Sequence, residues 1–83
     1  MNLHEVILSL PLDYSEVSYK GRRYGLSRQD FNDGKSVKVF AEELGGKDFI
    51  SFNYYLTQSG PQLKPCEMPV DKVKDFLTAI GAQ

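Results

Sequence analysis

Residues 37–54 read VKVFAEELGGKDFISFNY, and the pattern of these residues is the strongest indication of the fold. A Gly45-Gly46 loop separates two segments rich in β-branched and aromatic residues, which is typical of a β-hairpin. With a two-residue loop at the glycines, three pairs of side chains meet on one face: Val37 with Tyr54, Val39 with Phe52, and Ala41 with Ile50. The stretch therefore predicts two antiparallel strands with one apolar face. The run Glu42-Glu43-Leu44 also suits a helix, which stays open as the alternative for the first of these strands.

Further turn signals lie before this hairpin, at Lys20-Gly21 and Asp33-Gly34. Loops at these positions pair Val17 with Tyr24 and Leu26 with Ala41, which keeps the apolar side chains on one face of a single sheet. The same register places Arg28 and Asp30 on that apolar face. We expect a β-bulge between Gln29 and Phe31 to relieve the conflict.

Helical spacing occurs at both ends of the chain. The apolar residues that recur every three or four positions near the C-terminus are Val70, Val73, Phe76, Leu77 and Ile80. Pro69 suits the first turn of this helix and Gly81 can end it. Leu3, Val6, Ile7 and Leu10 predict a short helix before Pro11, with a strand as the alternative. The connection from Thr57 to Met68 is predicted as a long loop.

These patterns predict one α+β domain over residues 1–83: a four-stranded antiparallel β-meander with a C-terminal helix packed on one face and a short N-terminal helix. A chain of this length buries only about 60–65% of its extended surface, so it has room for a single core. We expect that core to contain Val39, Ile50, Phe52, Val73 and Phe76, between the sheet and the C-terminal helix.

The composition is that of an ordinary soluble domain, with 10 Lys+Arg against 11 Asp+Glu and a mean hydropathy of −0.37. No apolar run approaches the ~18–20 residues of a membrane span, and no basic segment precedes an apolar one as in a signal peptide. One cysteine and one histidine exclude a disulfide framework and a multi-thiolate zinc site, so we expect neither a metal nor a cofactor. The cysteine usage predicts a reducing, cytoplasmic location.

Basic residues are concentrated between Ser18 and Lys38, where six cations face two carboxylates. Lys20, Arg22 and Arg23 lie at the tip of the first hairpin, with Arg28 farther along the same strand. Three cations within four positions raise the local potential, so this tip is a candidate contact for a polyanion or an acidic partner. The alternative is a solvated turn whose charges are balanced by Glu16 and other acidic residues.

The polar face of the predicted sheet combines cations with aromatic rings, and its binding candidates are Lys38, Phe40 and Tyr55. Such a face suits single-stranded nucleic acid, because cations meet phosphate and rings stack on bases. A pI near 5.7 and the lack of an RNP-type octamer argue against it. We therefore prefer the interpretation that Phe40 and Tyr55 are covered by the N-terminal helix or by a second copy of the chain.

Cys66 is the main candidate nucleophile and lies just ahead of the C-terminal helix. The helix N-terminus and Lys64 would favour a thiolate, whereas Glu67 would oppose it. No CxxC partner exists, and His4 could reach Cys66 only through the fold. We expect a structural cysteine, with a thiol-dependent redox activity as the alternative.

Four runs, YKGRRY at 19–24, AEELGG at 41–46, ISFN at 50–53 and KPCEMP at 64–69, together resemble a small uncharacterised bacterial domain family. The resemblance covers most of the chain and implies a bacterial origin, but it brings no established activity and no catalytic motif. We therefore expect a non-enzymatic binding domain whose partner is another protein or a second copy. Nucleic acid is the less favoured ligand, and we expect no membrane contact.

Overall fold

The computed structural model describes residues 2–83, which form seven elements along the chain. They are α1 (Leu3–Ser9), β1 (Asp13–Tyr19), β2 (Arg22–Phe31), β3 (Ser36–Glu43), β4 (Phe49–Thr57), β5 (Gly60–Pro65) and α2 (Val70–Gly81). The strands form one antiparallel sheet in the order β1-β2-β3-β4-β5, so each strand pairs with the next in sequence. The α+β meander is confirmed, with five strands where four were predicted.

The predicted strand pairings are present in the sheet: Val17 with Tyr24, Leu26 with Ala41, and Val39 with Phe52. Lys20 and Gly21 both adopt positive φ, at 53° and 75°. A two-residue hairpin of type I′ requires positive φ at both central positions, because only then does the turn match the right-handed twist of the strands. The local turn chemistry therefore sets the register of the first hairpin.

Both helices lie on the same side of the sheet, which we call the inner face. The core combines side chains from α1, the sheet and α2, and its fully buried large members are Phe52, Phe76, Ile7, Leu26, Ile50, Leu77, Val37, Val39 and Val73. The five predicted core residues are all among the buried side chains. The prediction that the N-terminal helix covers Phe40 and Tyr55 is wrong, because Val6, Ile7 and Leu10 bury the apolar side of α1 in this same core.

The segment from Thr57 to Met68, predicted as a long loop, instead contains the fifth strand, β5. Pro61 and Pro65 counted against a strand, since proline cannot donate a ladder hydrogen bond. β5 lies at the edge of the sheet, where a proline is tolerated when its nitrogen faces away from the neighbouring strand. Leu63 packs against the core while Lys64 is exposed, which is the alternation of a half-buried strand.

β2 pairs with β3 continuously to Phe31, so the predicted bulge is absent from this strand. Arg28 and Asp30 stay on the inner face, where Nε and Nη2 of Arg28 each donate to the Asp30 carboxylate at 3.0 Å. Nη1 of Arg28 donates to the carbonyls of Leu8 at 3.1 Å and Leu10 at 2.7 Å. The bulge prediction fails because the unpaired carbonyls at the end of α1, rather than apolar side chains, cover this part of the sheet.

Within residues 2–83, neither helix has the length and apolar character that a membrane crossing requires.

Candidate interaction surface

The side chains that alternate with the core residues form the second side of the sheet, which we call the outer face. Its residues are Tyr14, Glu16, Ser18, Arg23, Gly25, Ser27, Gln29, Phe31, Ser36, Lys38, Phe40, Glu42, Phe49, Ser51, Asn53, Tyr55, Gln62 and Lys64. Both described helices lie against the inner face, so they leave this surface open.

Five aromatic side chains of the outer face are exposed, by between 36% and 57%: Tyr14, Phe31, Phe40, Phe49 and Tyr55. The rings of Phe40 and Phe49 stack with their centroids 6.0 Å apart and their planes at 28°. The solvated side of an antiparallel sheet usually carries polar residues, and a concentration of exposed apolar rings marks a binding surface. The aromatic content therefore singles out the outer face as the candidate site.

Gly25 contributes to this surface by lacking a side chain. A Cβ atom placed at Gly25 would lie 2.6 Å from the hydroxyl oxygen of Tyr14 and 3.0 Å from its ring. The ring of Tyr14 therefore lies across the backbone of β2 and shields it, and Gly25 is buried despite facing outward.

The charges of the outer face are nearly balanced. Arg23 donates to Glu16 at 2.6 Å, which neutralises one pair near the hairpin tip. Lys38 and Glu42 flank Phe40 along β3, and among the described residues neither of them forms an ion pair. Lys64 lies in the same row as Lys38, with Asn53 between them.

The basic tip of the first hairpin is matched by carboxylates. Arg22 donates to Glu43 at 2.8 Å, Arg23 pairs with Glu16, and Nζ of Lys20 lies 3.8 Å from Asp75. The arrangement agrees with the alternative in which Glu16 and other acidic residues balance the tip. Opposite charges at these distances lower the local potential that three adjacent cations would otherwise create.

Arg28, the fourth basic candidate of this region, does not join the other three. Its side chain is buried, and its guanidinium bonds to Asp30 and to the carbonyls at the end of α1. The structure therefore gives Arg28 a role in attaching α1 to the sheet and removes it from the exposed cations.

Cys66 and His4 lie on opposite sides of the sheet. Cys66 is half-buried, and its Sγ lies 3.4 Å from Nδ2 of Asn53 on the outer side. The backbone N–H of Cys66 donates to the carbonyl of Ser51 at 2.9 Å, which continues the pairing of β5 with β4. His4 instead places Nδ1 2.5 Å from the hydroxyl of Tyr54, whose ring faces the core. The fold thus separates the thiol from the histidine.

A polar rim closes one end of the core, and the sequence reasoning missed it. Tyr19, Tyr24 and Phe76 pack edge to face with centroids 5.0–5.8 Å apart. The hydroxyl of Tyr24 donates to Asp48 at 2.7 Å, and that of Tyr19 donates to Asp75. Burial, reinforced by the bond to Asp75, raises the pKa of Tyr19 to about 12.

Asp48 joins three parts of the chain at this rim. It lies just before β4, accepts from Tyr24 of β2, and accepts from Nζ of Lys72 of α2 at 2.6 Å. The bonds from Lys72 and Tyr24 hold the pKa of Asp48 below its usual value. No local pattern marks Asp48, because its partners come from distant positions in the sequence.

The aromatic residues Phe31 and Phe49, together with Tyr14, were also absent from the predicted binding set. The sequence does indicate the position of Phe49, since the strand alternation that places Phe40 on the polar face places Phe49 there as well. Tyr14 follows from the same alternation along β1, whereas the bulge predicted between Gln29 and Phe31 would have placed Phe31 on the other face. Extending the predicted strands to their full lengths would have found Tyr14 and Phe49.

Comparisons of the chain with protein-family models, curated proteins and solved structures find no match in any of the three. The resemblance to a bacterial domain family therefore stays a prediction. Over residues 2–83 the structure shows no pocket and no group of three or more His, Cys, Asp and Glu side chains that could hold a metal ion.

Proposed function

We propose that this chain is a protein-binding domain and that the outer face is its binding surface. The observation that carries the proposal is the set of five exposed aromatic side chains on the open side of the sheet. Aromatic residues are enriched in protein interfaces and supply much of the binding energy there, because they bury a large apolar area with little loss of side-chain entropy. The inner face of the same sheet packs on the core.

The balance of charge supports a protein partner over a nucleic acid. A groove for single strands presents a continuous basic path along the backbone. On the outer face, Lys38 and Lys64 lie in one row across the sheet, Glu42 lies on the other side of Phe40 from Lys38, and Arg23 is already paired with Glu16. A protein interface typically has an aromatic centre, and its polar rim carries charges of both signs.

Photo-crosslinking in the cells that make this protein tests the proposal. The photoreactive residue p-benzoylphenylalanine replaces Phe40 or Tyr55 on the outer face, or Thr78 as a control on the exposed side of α2. We expect a discrete protein adduct from the two outer-face positions and none from Thr78. Adducts with nucleic acid, no adduct, or equal adducts from Thr78 would each contradict a protein-binding outer face.

A further inference from the structure

We infer that the partner of the outer face is a second copy of this chain, docked face to face about a two-fold axis at Phe40. The inference rests on the proposed function and names the occupant of the same surface. It is carried by the order of charges on β3, by the shape of the surface around Phe40, and by the area of the face.

The outward side chains of β3 are Lys38, Phe40 and Glu42, in that order along the strand. Consider a two-fold axis in the plane of the interface, perpendicular to β3 at Phe40. The axis reverses the strand direction in the second copy, so Lys38 of one copy faces Glu42 of the other, and the reverse pair forms as well. A two-fold interface must be self-complementary, because the same patch serves on both sides.

This arrangement also provides partners for two charges that lack them. Within residues 2–83 neither Lys38 nor Glu42 forms an ion pair. A different protein would have to supply both an acidic and a basic side chain at matched positions. A second copy of the chain supplies both, because it carries the same two residues. Complementary charges across an interface fix its register and disfavour other alignments.

The surface around Phe40 has the relief that such packing needs. Phe40 is flanked across the sheet by Ser27 of β2 and Ser51 of β4. Serine side chains are much shorter than phenylalanine, so the ring of Phe40 projects beyond both of these neighbours. When two such faces meet, Phe40 of each copy can lie beside the ring of the other, with Phe49 stacked behind it at 6.0 Å.

The area of the face is close to what a specific dimer buries on each partner. Five strands about 4.8 Å apart and roughly 25 Å long present a flat area of about 600 Å². Projecting side chains raise the accessible area toward the about 800 Å² per partner of a standard interface. Two sheets packed face to face cross at about −30°, so facing strands diverge away from the point of crossing. Contacts near the central strand β3 are therefore closer than contacts at the edges of the sheet.

Sedimentation velocity of the purified chain over a range of concentrations tests the inference. We expect the wild-type chain to reach the mass of two copies. Lys38→Glu and Glu42→Lys should each weaken dimerisation by about tenfold or more, because each places like charges opposite one another twice. Lys74→Glu, a charge reversal on the exposed side of α2, is the matched control and should leave dimerisation unchanged.

Mixing the two single variants gives the decisive readout. A chain with Lys38→Glu and a chain with Glu42→Lys complement each other at both contacts, so the mixture should form a dimer that neither variant forms well alone. A general loss of folding could not be rescued in this way. Unchanged dimerisation in the single variants, or no rescue in the mixture, would overturn the proposed two-fold arrangement.

The failure of this inference can be separated from the failure of the proposed function. A wild-type chain that stays monomeric at millimolar concentration would overturn the second-copy inference. If crosslinking from Phe40 then still yields an adduct with a different protein, the outer face remains a protein-binding surface. If crosslinking yields no protein adduct either, both proposals fall.

Discussion

At the residue scale, Arg28 and Asp30 show how a charged pair is accommodated on the inner face. The planar guanidinium binds the Asp30 carboxylate through two nitrogens and reaches the carbonyls of Leu8 and Leu10 with a third. A helix end leaves such carbonyls without backbone donors, and its negative end favours a cation. Arg28 therefore attaches α1 to the sheet.

Replacement of Arg28 by leucine should lower the free energy of unfolding by about 3 kcal/mol, because it leaves the Asp30 carboxylate and the α1 carbonyls without their donors. Arg28→Lys should recover part of the loss, since lysine keeps the charge but not the planar fork. Urea denaturation measures both values. A loss below about 0.5 kcal/mol for Arg28→Leu, the range of surface substitutions, would show that the attachment is unimportant.

The hydroxyl of Tyr19 makes the stability of the fold sensitive to alkaline pH. Its pKa rises from 10.0 to about 12 in the folded chain because the ring is buried and bonded to Asp75. The folded state thus keeps a proton that the unfolded state loses, so this contribution to stability is complete below pH 10 and disappears as pH rises toward 12.

Thermal unfolding of the wild-type chain and Tyr19→Phe between pH 8 and about 12 checks this sign. We expect the Tm of the wild-type chain to fall more steeply above pH 10 than that of the variant, which has no proton to lose at this position. Tyr55→Phe, at an exposed position on the outer face, serves as the control for loss of a tyrosine hydroxyl. Parallel curves for wild type and Tyr19→Phe would show that Tyr19 does not couple folding to pH.

At the element scale, β4 has two faces with opposite roles. Phe52 on the inner face is fully buried between the sheet and the helices, whereas Phe49 on the outer face remains exposed. The same type of side chain, three positions apart on one strand, therefore serves the core in one case and the surface in the other. Alternation along the strand, with a period of two, produces this division.

Phe52→Ala should cost about 3–5 kcal/mol of unfolding free energy, since it opens a cavity in the core of a small domain. Phe49→Ala is the matched control on the same strand, and we expect it to change stability by less than about 1 kcal/mol. Chemical denaturation of both variants provides the comparison. Equal losses, or a cost under roughly 1 kcal/mol for Phe52→Ala, would mean that the two faces of β4 do not differ as described.

At the scale of the whole molecule, the fold concentrates its helices on one side and its exposed aromatic residues on the other. α1 and α2 cover the inner face, and their apolar residues complete a single core with the sheet. The basic hairpin tip is matched by Glu16, Glu43 and Asp75, which leaves the outer face as the surface with the most distinctive composition. For this reason the proposed function and the proposed dimer both lie there.

Much of the strand pairing was predictable from the sequence because it depends on local rules. The Lys20-Gly21 turn and the alternation of side chains set the pairing of Val17 with Tyr24. The fifth strand was not predicted because it contains prolines, which disfavour a strand when only the local sequence is considered. Its position at the edge of the sheet is what makes these prolines acceptable. The sequence also predicted part of the candidate surface, namely Lys38, Phe40 and Tyr55.

Local sequence patterns were enough to predict the first four strands, most of their pairings and the two amphipathic helices, since each arises from turn chemistry or periodicity within a few neighbouring residues. Three features were visible only in the folded chain: α1 joins α2 on the inner face, Arg28 binds the end of α1, and the aromatic outer face is left open. These features depend on contacts between residues far apart in the chain. A periodic pattern shows which side of an element is apolar, but it does not show which other element will cover that side.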